Sequence, residues 1–272
     1  MGSRAGTTGG WIGAAAALAL VFPAPALARE RSARQIVERA IGAMGGEAWT
    51  RARTLQLEGR IVWYAPDRPE PRARALDYRM WRVLEEDRVD AHEAAGQVRI
   101  LAREGDRTVF EVGTDGVVTW THQGPVSADE AQRIWAANFG YGVLRHALKP
   151  GFRLERLPDD WAEGRRVHVV RVVDPAGQET LFGIDRASFL VRMVGFATPR
   201  GWHVRTYADH FRVGGFVQPG RVTLSYNGVR QNEVFWERAW VNAPLDPALF
   251  RPGAPVPPRG VPTVPPGGAG PD

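Results

Sequence analysis

The chain has 272 residues, no cysteine, 10 tryptophans and a formal net charge of +5. Its apolar and aromatic content is ample for a packed core, which excludes disorder as the general state, and the lack of cysteine excludes a disulfide framework, a thiol nucleophile and a thiolate metal site. Basic and acidic residues alternate, as in Arg34, Glu38, Arg39 and in Arg103, Glu104, Asp106, Arg107, which is the pattern of a solvated surface rather than a nucleic-acid-binding face.

Residues 1–28 read as a cleavable signal peptide. Arg4 precedes the apolar run Trp11–Phe22, and Ala26-Leu27-Ala28 gives the small-residue cleavage pattern before Arg29. The run is shorter than the ~20 residues of a spanning helix, so no transmembrane segment is expected after cleavage. Ser32 is placed to cap a first helix in which Ile36, Val37, Ala40, Ile41 and Met44 recur at helical spacing, with Gly45-Gly46 as its stop. At Leu55-Gln56-Leu57-Glu58-Gly59-Arg60-Ile61-Val62-Trp63 the period changes from 3.6 to 2 and predicts a strand. Further strands are expected over 73–84, 89–103, 107–112 and 117–122, the last two joined by a hairpin at Gly113–Gly116.

Ser127-Ala128-Asp129-Glu130 has the form of a capping box and opens a second helix carrying Ala131, Ile134, Trp135 and Phe139. Gly140 and Gly142 each cost roughly 1 kcal/mol relative to Ala in a helix, so the segment to Leu148 is expected as two short helical pieces broken near Asn138. From Arg153 the chain returns to serial strands, with turn residues at 174–177, 185–188, 198–201, 214–215 and 227–228. So many sequential strands bury a face by curling into a barrel or by packing as a sandwich. From Pro252 to Asp272 the chain is rich in Pro and Gly and reads as a disordered tail, leaving 29–251 as a single domain.

No nucleophile elbow, phosphate-binding loop or H-E-x-x-H pattern is present. The best catalytic candidate is the run His203 to His210, but on a strand Asp209 and His210 face opposite ways, and His203 and Asp209 lie ~20 Å apart. A site would need long-range partners such as His168 or Asp185. Ordinary structural roles outweigh it, and neither an enzyme nor a metal or cofactor site is expected. Strand aromatics are abundant, and 167–173 and 189–194 carry large apolar side chains on both faces. An open antiparallel sheet normally keeps one face polar, so the second face is covered by helices or forms an apolar cavity.

The order Ile41-Gly42-Ala43-Met44-Gly45-Gly46-Glu47-Ala48-Trp49, then Leu55–Gly59, then Thr114-Asp115-Gly116 with Trp120 resembles periplasmic outer-membrane lipoprotein-sorting proteins of the Lol carrier type. The rhythm of Gly177 to Asp185, Phe189-Leu190-Val191, Tyr207 with Gly214-Gly215 and Pro219, and Asn242–Phe250 is similar to the same superfamily. The resemblance implies a mainly β (α+β) fold: a curved antiparallel sheet forming an unclosed half-barrel, with helices covering a concave face that receives acyl chains. The expectation is a periplasmic, non-enzymatic carrier of a lipid, lipoprotein acyl chains or another amphiphile. The alternative is an envelope stress-sensing or interaction module that binds a segment of a protein partner.

The candidate cavity residues are Leu55, Leu57, Ile61 and Trp63 on the first strand, where Gly59 lies in register and would let a ligand approach the backbone. The aromatics Trp120, Trp202 and Trp236 join them, together with Ile134, Trp135, Phe139 and Tyr141 from 127–148. Two readings of that last segment stay open: a lid hinged at Gly140-Tyr141-Gly142, or a fixed helix that plugs the half-barrel.

Overall fold

A computed structural model describes residues 31–66, 68–84, 96–136 and 140–262. The expected signal peptide, residues 89–95 of the expected strand 89–103, the expected break near Asn138, Phe139 and the last ten residues of the expected tail lie outside them. Helix α1 (Ala33–Met44) opens with a capping box in which Ser32 Oγ accepts the Gln35 N–H and Gln35 Oε1 accepts the Ser32 N–H. It stops at Gly45, whose φ of 128° suits glycine, and a Cβ there would lie 2.6 Å from the Phe216 backbone. The one-turn helix α2 (Glu47–Thr50) follows.

The strands are β1 (Thr54–Tyr64), β2 (Pro71–Val83), β3 (Val98–Glu104), β4 (Arg107–Thr114), β5 (Thr119–Thr121) and β6 (Gly124–Pro125), then, after helix α3 (Ala128–Ala136) and a 3-10 turn Gly140–Arg145, β7 (Arg153–Ala162), β8 (Arg165–Val173), β9 (Glu179–Asp185), β10 (Val191–Thr198) and β11 (Gly201–Ala208). A hairpin of β12 (Phe211–Val213) and β13 (Phe216–Gln218) precedes β14 (Arg221–Tyr226) and β15 (Val229–Val241). Except for the hairpin, all of them form one antiparallel sheet in the order β6-β5-β4-β3-β2-β1-β15-β14-β11-β10-β9-β8-β7. The sheet curves into a half-barrel and does not close, which resolves the choice between barrel and sandwich.

Topology explains what covers the concave face. Strands β6 and β7 follow one another in sequence but sit at opposite edges of the sheet. The connection 126–152 must therefore cross from edge to edge, and it carries α3 and the 3-10 turn over the inner surface. Trp135 buries its ring against Ile61, Tyr78, Val98, Ile100 and Val112 in one half. In the other half Ile36, Val37, Ala40 and Met44 of α1 pack with Val143 and Leu144 on Val170, Phe182, Val194 and Tyr207. The sheet's apolar inner rows thus find two partners, and on the opposite face of β8 Val167 and Val169 form a separate cluster with Leu157, Ala162 and Met193.

The outer face of the first half is also covered. Leu249 and Phe250 pack on Trp81 and Leu101, and the chain beyond them runs along the sheet. Arg99 donates to the carbonyls of Leu249, Ala254 and Pro255, Gln56 Nε2 to Val261, Arg79 to Pro257 and Arg259 to Leu76. Residues 252–262, within the segment expected as a tail, thus make backbone contacts with the sheet. Proline cannot donate a hydrogen bond but its carbonyl accepts one, and buried arginines of the outer face supply the donors.

Candidate functional site

Between α2, α3, the 3-10 turn and Phe216, Gln218 and Pro219 on one side and the inner face of the sheet on the other lies a cavity of about 310 Å³, within the range of small-molecule sites. The strand registers order its floor. Leu55 lies beside Arg82 and Arg82 beside Val98; Leu57 beside Met80, then Ile100 and Val112; Ile61 beside Val234, then Val222 and Tyr207; Trp63 beside Asn232, then Leu224 and Arg205. Side chains two apart on a strand share a face, so odd-numbered positions of β1 point into the cavity and even-numbered ones outward.

Trp236 lies beside Gly59 and stacks on Tyr78 with ring centroids 5.2 Å apart. Trp135 and Tyr141 supply the roof, where the Trp135 indole N–H donates to Thr119 Oγ1 at 2.7 Å and Tyr141 packs on Tyr207 at 4.6 Å. Buried indole and phenol groups need a hydrogen-bond partner, and the Tyr141 hydroxyl donates to Met44 Sδ at 3.8 Å.

Of the residues expected here, Leu55, Leu57, Ile61, Trp63, Trp135, Tyr141 and Trp236 line the cavity. Ile134 packs on the edge of the same apolar cluster without lining it, and Phe139 lies outside the described residues. Trp120 and Trp202 do not line it. Trp120 belongs to the outer row Gln56, Trp81, Arg99, Gly113, Trp120, and its ring covers Gly113 beneath the Arg99 guanidinium. Trp202 has the opposite parity to Arg205 and Tyr207, and it is 41% exposed with its ring over Gly195. Aromatic type pointed to all of these residues, whereas strand parity separates them.

Sequence reasoning missed Tyr78, Met80, Arg82, Arg145 and Arg205. The available signal was the alternation through β2, in which Tyr78, Met80 and Arg82 share a face opposite to Trp81. Burial pushes Tyr78 up to about 12, with the charge of Arg205 opposing the rise. Burial raises Tyr207 and Tyr141 as well, so these phenols are neutral and can donate at physiological pH. Arg145 donates to the carbonyls of Thr50 and Ala52 at 2.7 and 2.9 Å, tying the 3-10 turn to α2.

The histidines and aspartates weighed as a catalytic group have separate partners. His203 is fully buried between Phe196 and Tyr226, and His210 contacts Arg192 and the Val191 carbonyl. His168 pairs with Asp159 at 3.1 Å, not with Asp185, while Asp209 binds Arg221. Burial alone would raise Asp159, but hydrogen bonds from His168 and Arg156 outweigh it and hold the carboxyl below its ordinary value. Asp185 caps the turn that follows it by accepting from the Ala187 and Ser188 N–H groups. Among the described residues no helix is long and apolar enough to cross a membrane.

No family model matches the chain, and no curated protein matches it. Solved structures do. An outer membrane lipoprotein-sorting protein domain from Vibrio parahaemolyticus is 12% identical, with 80% of this chain and 95% of that one covered at a TM-score of 0.52. A LolA superfamily protein from Nitrosomonas europaea is 13% identical over 82% and 98%, at 0.50. A DUF1329 family protein from Desulfovibrio piger is 7% identical over 82% and 98%, at 0.52. The chain has the fold of the LolA-type lipoprotein-sorting domains: an unclosed antiparallel half-barrel whose concave face is roofed by helices.

Proposed function

We propose that this protein is a periplasmic, non-enzymatic carrier that holds the acyl chain of a lipid, a lipoprotein or another amphiphile in the cavity between the sheet and its helical roof. The observation that carries this reading is the cavity wall: Leu55, Leu57, Ile61, Trp63, Met80 and Trp236 form a continuous apolar floor across adjoining strands. Burial of an acyl chain contributes ~0.8 kcal/mol per CH₂, so a sixteen-carbon chain offers roughly 12 kcal/mol before the cost of association. The fold shared with lipoprotein-sorting domains supports the reading, and the leader-like residues 1–28 support export.

The test is extraction and mass spectrometry of lipid from the protein purified from its own envelope. Stoichiometric acyl-chain ligand is expected, and it should be lost from Ile61→Glu, which places a charge in the floor. Protein recovered empty and unable to take up a fatty-acyl probe would overturn the proposal. A stoichiometric protein partner captured by crosslinking in place of lipid would favour the interaction-module alternative.

A further inference from the structure

Two polar groups of the cavity roof have partners within the protein: the Trp135 indole donates to Thr119 and the Tyr141 hydroxyl to Met44. Two phenols of the wall do not. Tyr78 and Tyr207 line the cavity with only 8% and 4% of their surface exposed, and among the described residues neither hydroxyl has a hydrogen-bond partner. Tyr64, which does not line the cavity, shows the usual alternative, since its hydroxyl donates to Glu233. The two rings are held in place, Tyr78 by stacking on Trp236 and Tyr207 by packing on Tyr141. They stand on β2 and β11, with β1, β15 and β14 between them in the sheet. Burial pushes both phenols upward and the Arg205 charge opposes the rise in both, so the two lie near one guanidinium. Tyr78 is beside Gly59, and Tyr207 shares the row of Val222, Val234 and Ile61. Both rows therefore cross the middle of the floor, between Leu57 and Trp63.

A hydroxyl taken out of water without a partner loses its hydration uncompensated, and native structures keep few such groups. Phenylalanine at either position would preserve the ring contacts and avoid the loss. Packing thus accounts for the two rings and not for their hydroxyls. Because both phenols keep their proton at neutral pH, each offers a donor within a stretch of wall formed by Ile61, Val222, Val234 and Trp236. Donors so placed fit an oxygen carried in by the ligand. A carbonyl oxygen has two lone pairs and accepts from two donors, and a neutral one enters an apolar wall at far smaller desolvation cost than an anion.

Building on the carrier reading above, we propose that the Tyr78 and Tyr207 hydroxyls donate to the linkage carbonyl of an acyl ester or acyl amide, so that the cavity selects acylated amphiphiles over plain alkyl chains of the same length. The shared chemistry is a neutral carbonyl oxygen at the head of an apolar chain. A glycerolipid supplies it as an ester and an N-acylated group as an amide.

Titration calorimetry of the purified protein with monopalmitoylglycerol, N-palmitoylserinol and 1-O-hexadecylglycerol separates the possibilities, because the three share an uncharged two-hydroxyl headgroup and a chain of one length but join them by an ester, an amide and an ether. At least one carbonyl probe is expected to bind on the order of tenfold more tightly than the ether, and the preferred one names the source of the carbonyl. Tyr78→Phe or Tyr207→Phe should lower that ratio and the double variant should abolish it, with affinity for the ether kept, whereas Tyr64→Phe should leave the ratio in full. Urea midpoints of the ligand-free cavity variants should equal or exceed that of the wild type, since neither hydroxyl bonds within the protein. Equal affinity of the wild type for all three probes, or tighter binding of the ether, would overturn the carbonyl assignment while leaving the carrier reading intact. So would a ratio that survives the double variant or falls as far in Tyr64→Phe, or a lowered midpoint in either cavity variant. Failure of every probe to bind would overturn both. Retained affinity for the ether shows that the variants are folded, so loss of preference cannot be mistaken for unfolding.

Discussion

At Gly59 a Cβ would lie 1.9 Å from the Phe235 carbonyl oxygen, where the registers of β1 with both β15 and β2 slip. The glycine therefore admits the backbone of β15, not a ligand, and the bulge it permits bends the strand. Gly59→Ala is expected to destabilise the fold by ~1–3 kcal/mol through overpacking, read as a lower urea midpoint, with lipid affinity of the folded fraction unchanged. His210 shows a second residue-scale effect. Its Nε2 lies 3.1 Å from the Val191 carbonyl and its Nδ1 3.4 Å from the Arg192 guanidinium, an arrangement suited to the neutral Nε2–H tautomer. Burial and then the Arg192 charge push it down to about 4, against weaker upward effects of the Val191 bond, Asp209 and Asp185. An unfolded histidine takes up its proton near pH 6.5. Between about 6.5 and 4 the unfolded state binds more protons than the folded one, so stability falls as pH falls through that window. His210→Gln should flatten this part of the stability–pH curve, measured as urea midpoints at intervals across it; an unchanged slope would assign the loss to other groups.

The C-terminal segment and α3 are the elements whose roles differ most from what their composition suggests. Residues 252–262 are Pro-rich yet strapped to the outer face, and Glu58 anchors the far end of the strap. Its carboxylate is fully buried, accepts the Gly260 N–H and faces Arg238 and Arg259 at 3.5 and 3.8 Å. Arg238 and Arg259 keep 56% and 32% of their side chains exposed, so removing Glu58 strands no buried charge but takes away the charged hydrogen bond to the Gly260 N–H, a loss of about 1.5–3 kcal/mol. Glu58→Ala should therefore release the strap, and limited proteolysis should then cleave beyond residue 250 where the wild type resists. Helix α3 roofs the cavity through Trp135, whose indole N–H is held by Thr119 on β5. Thr119→Val removes that hydrogen bond, a loss of about 0.5–1.5 kcal/mol. Hydrogen exchange over 127–136 should accelerate in this variant, and in the wild type it should slow when palmitate binds. Exchange unaffected by ligand would make α3 a fixed plug and not a lid.

For the whole molecule, one sheet carries both apolar clusters of the concave face, so a ligand bound between them stabilises a single folded unit. Ligand at a hundred times its Kd should raise stability by ~2.7 kcal/mol, seen as a concentration-dependent rise in Tm, with tryptophan fluorescence and circular dichroism reporting the same midpoint. Separate midpoints would mean that the two halves of the sheet unfold independently. Much of this architecture is legible in the sequence, because period and turn chemistry are local: the capped helix ending at Gly45, the period-2 strand from Leu55 to Trp63 and the helix opened by Ser127 each follow from neighbouring residues. Alternation along β1 sufficed to group Leu55, Leu57, Ile61 and Trp63 on one face. It could not relate that face to those of other strands, since relative parity depends on register, and register is set by long-range pairing and by bulges such as those beside Gly59. For that reason aromatic type alone groups Trp120 and Trp202 with the cavity although both point outward, and passes over Arg205 although it shares a row with Trp63. The sequence by itself determined the elements, their order and the apolar face of the first strand. Only the tertiary structure decided that β6 and β7 occupy opposite edges, so that their connection roofs the cavity, and that a Pro-rich segment is bound by arginines more than a hundred residues away, because both outcomes depend on pairings that no local stretch of chain contains.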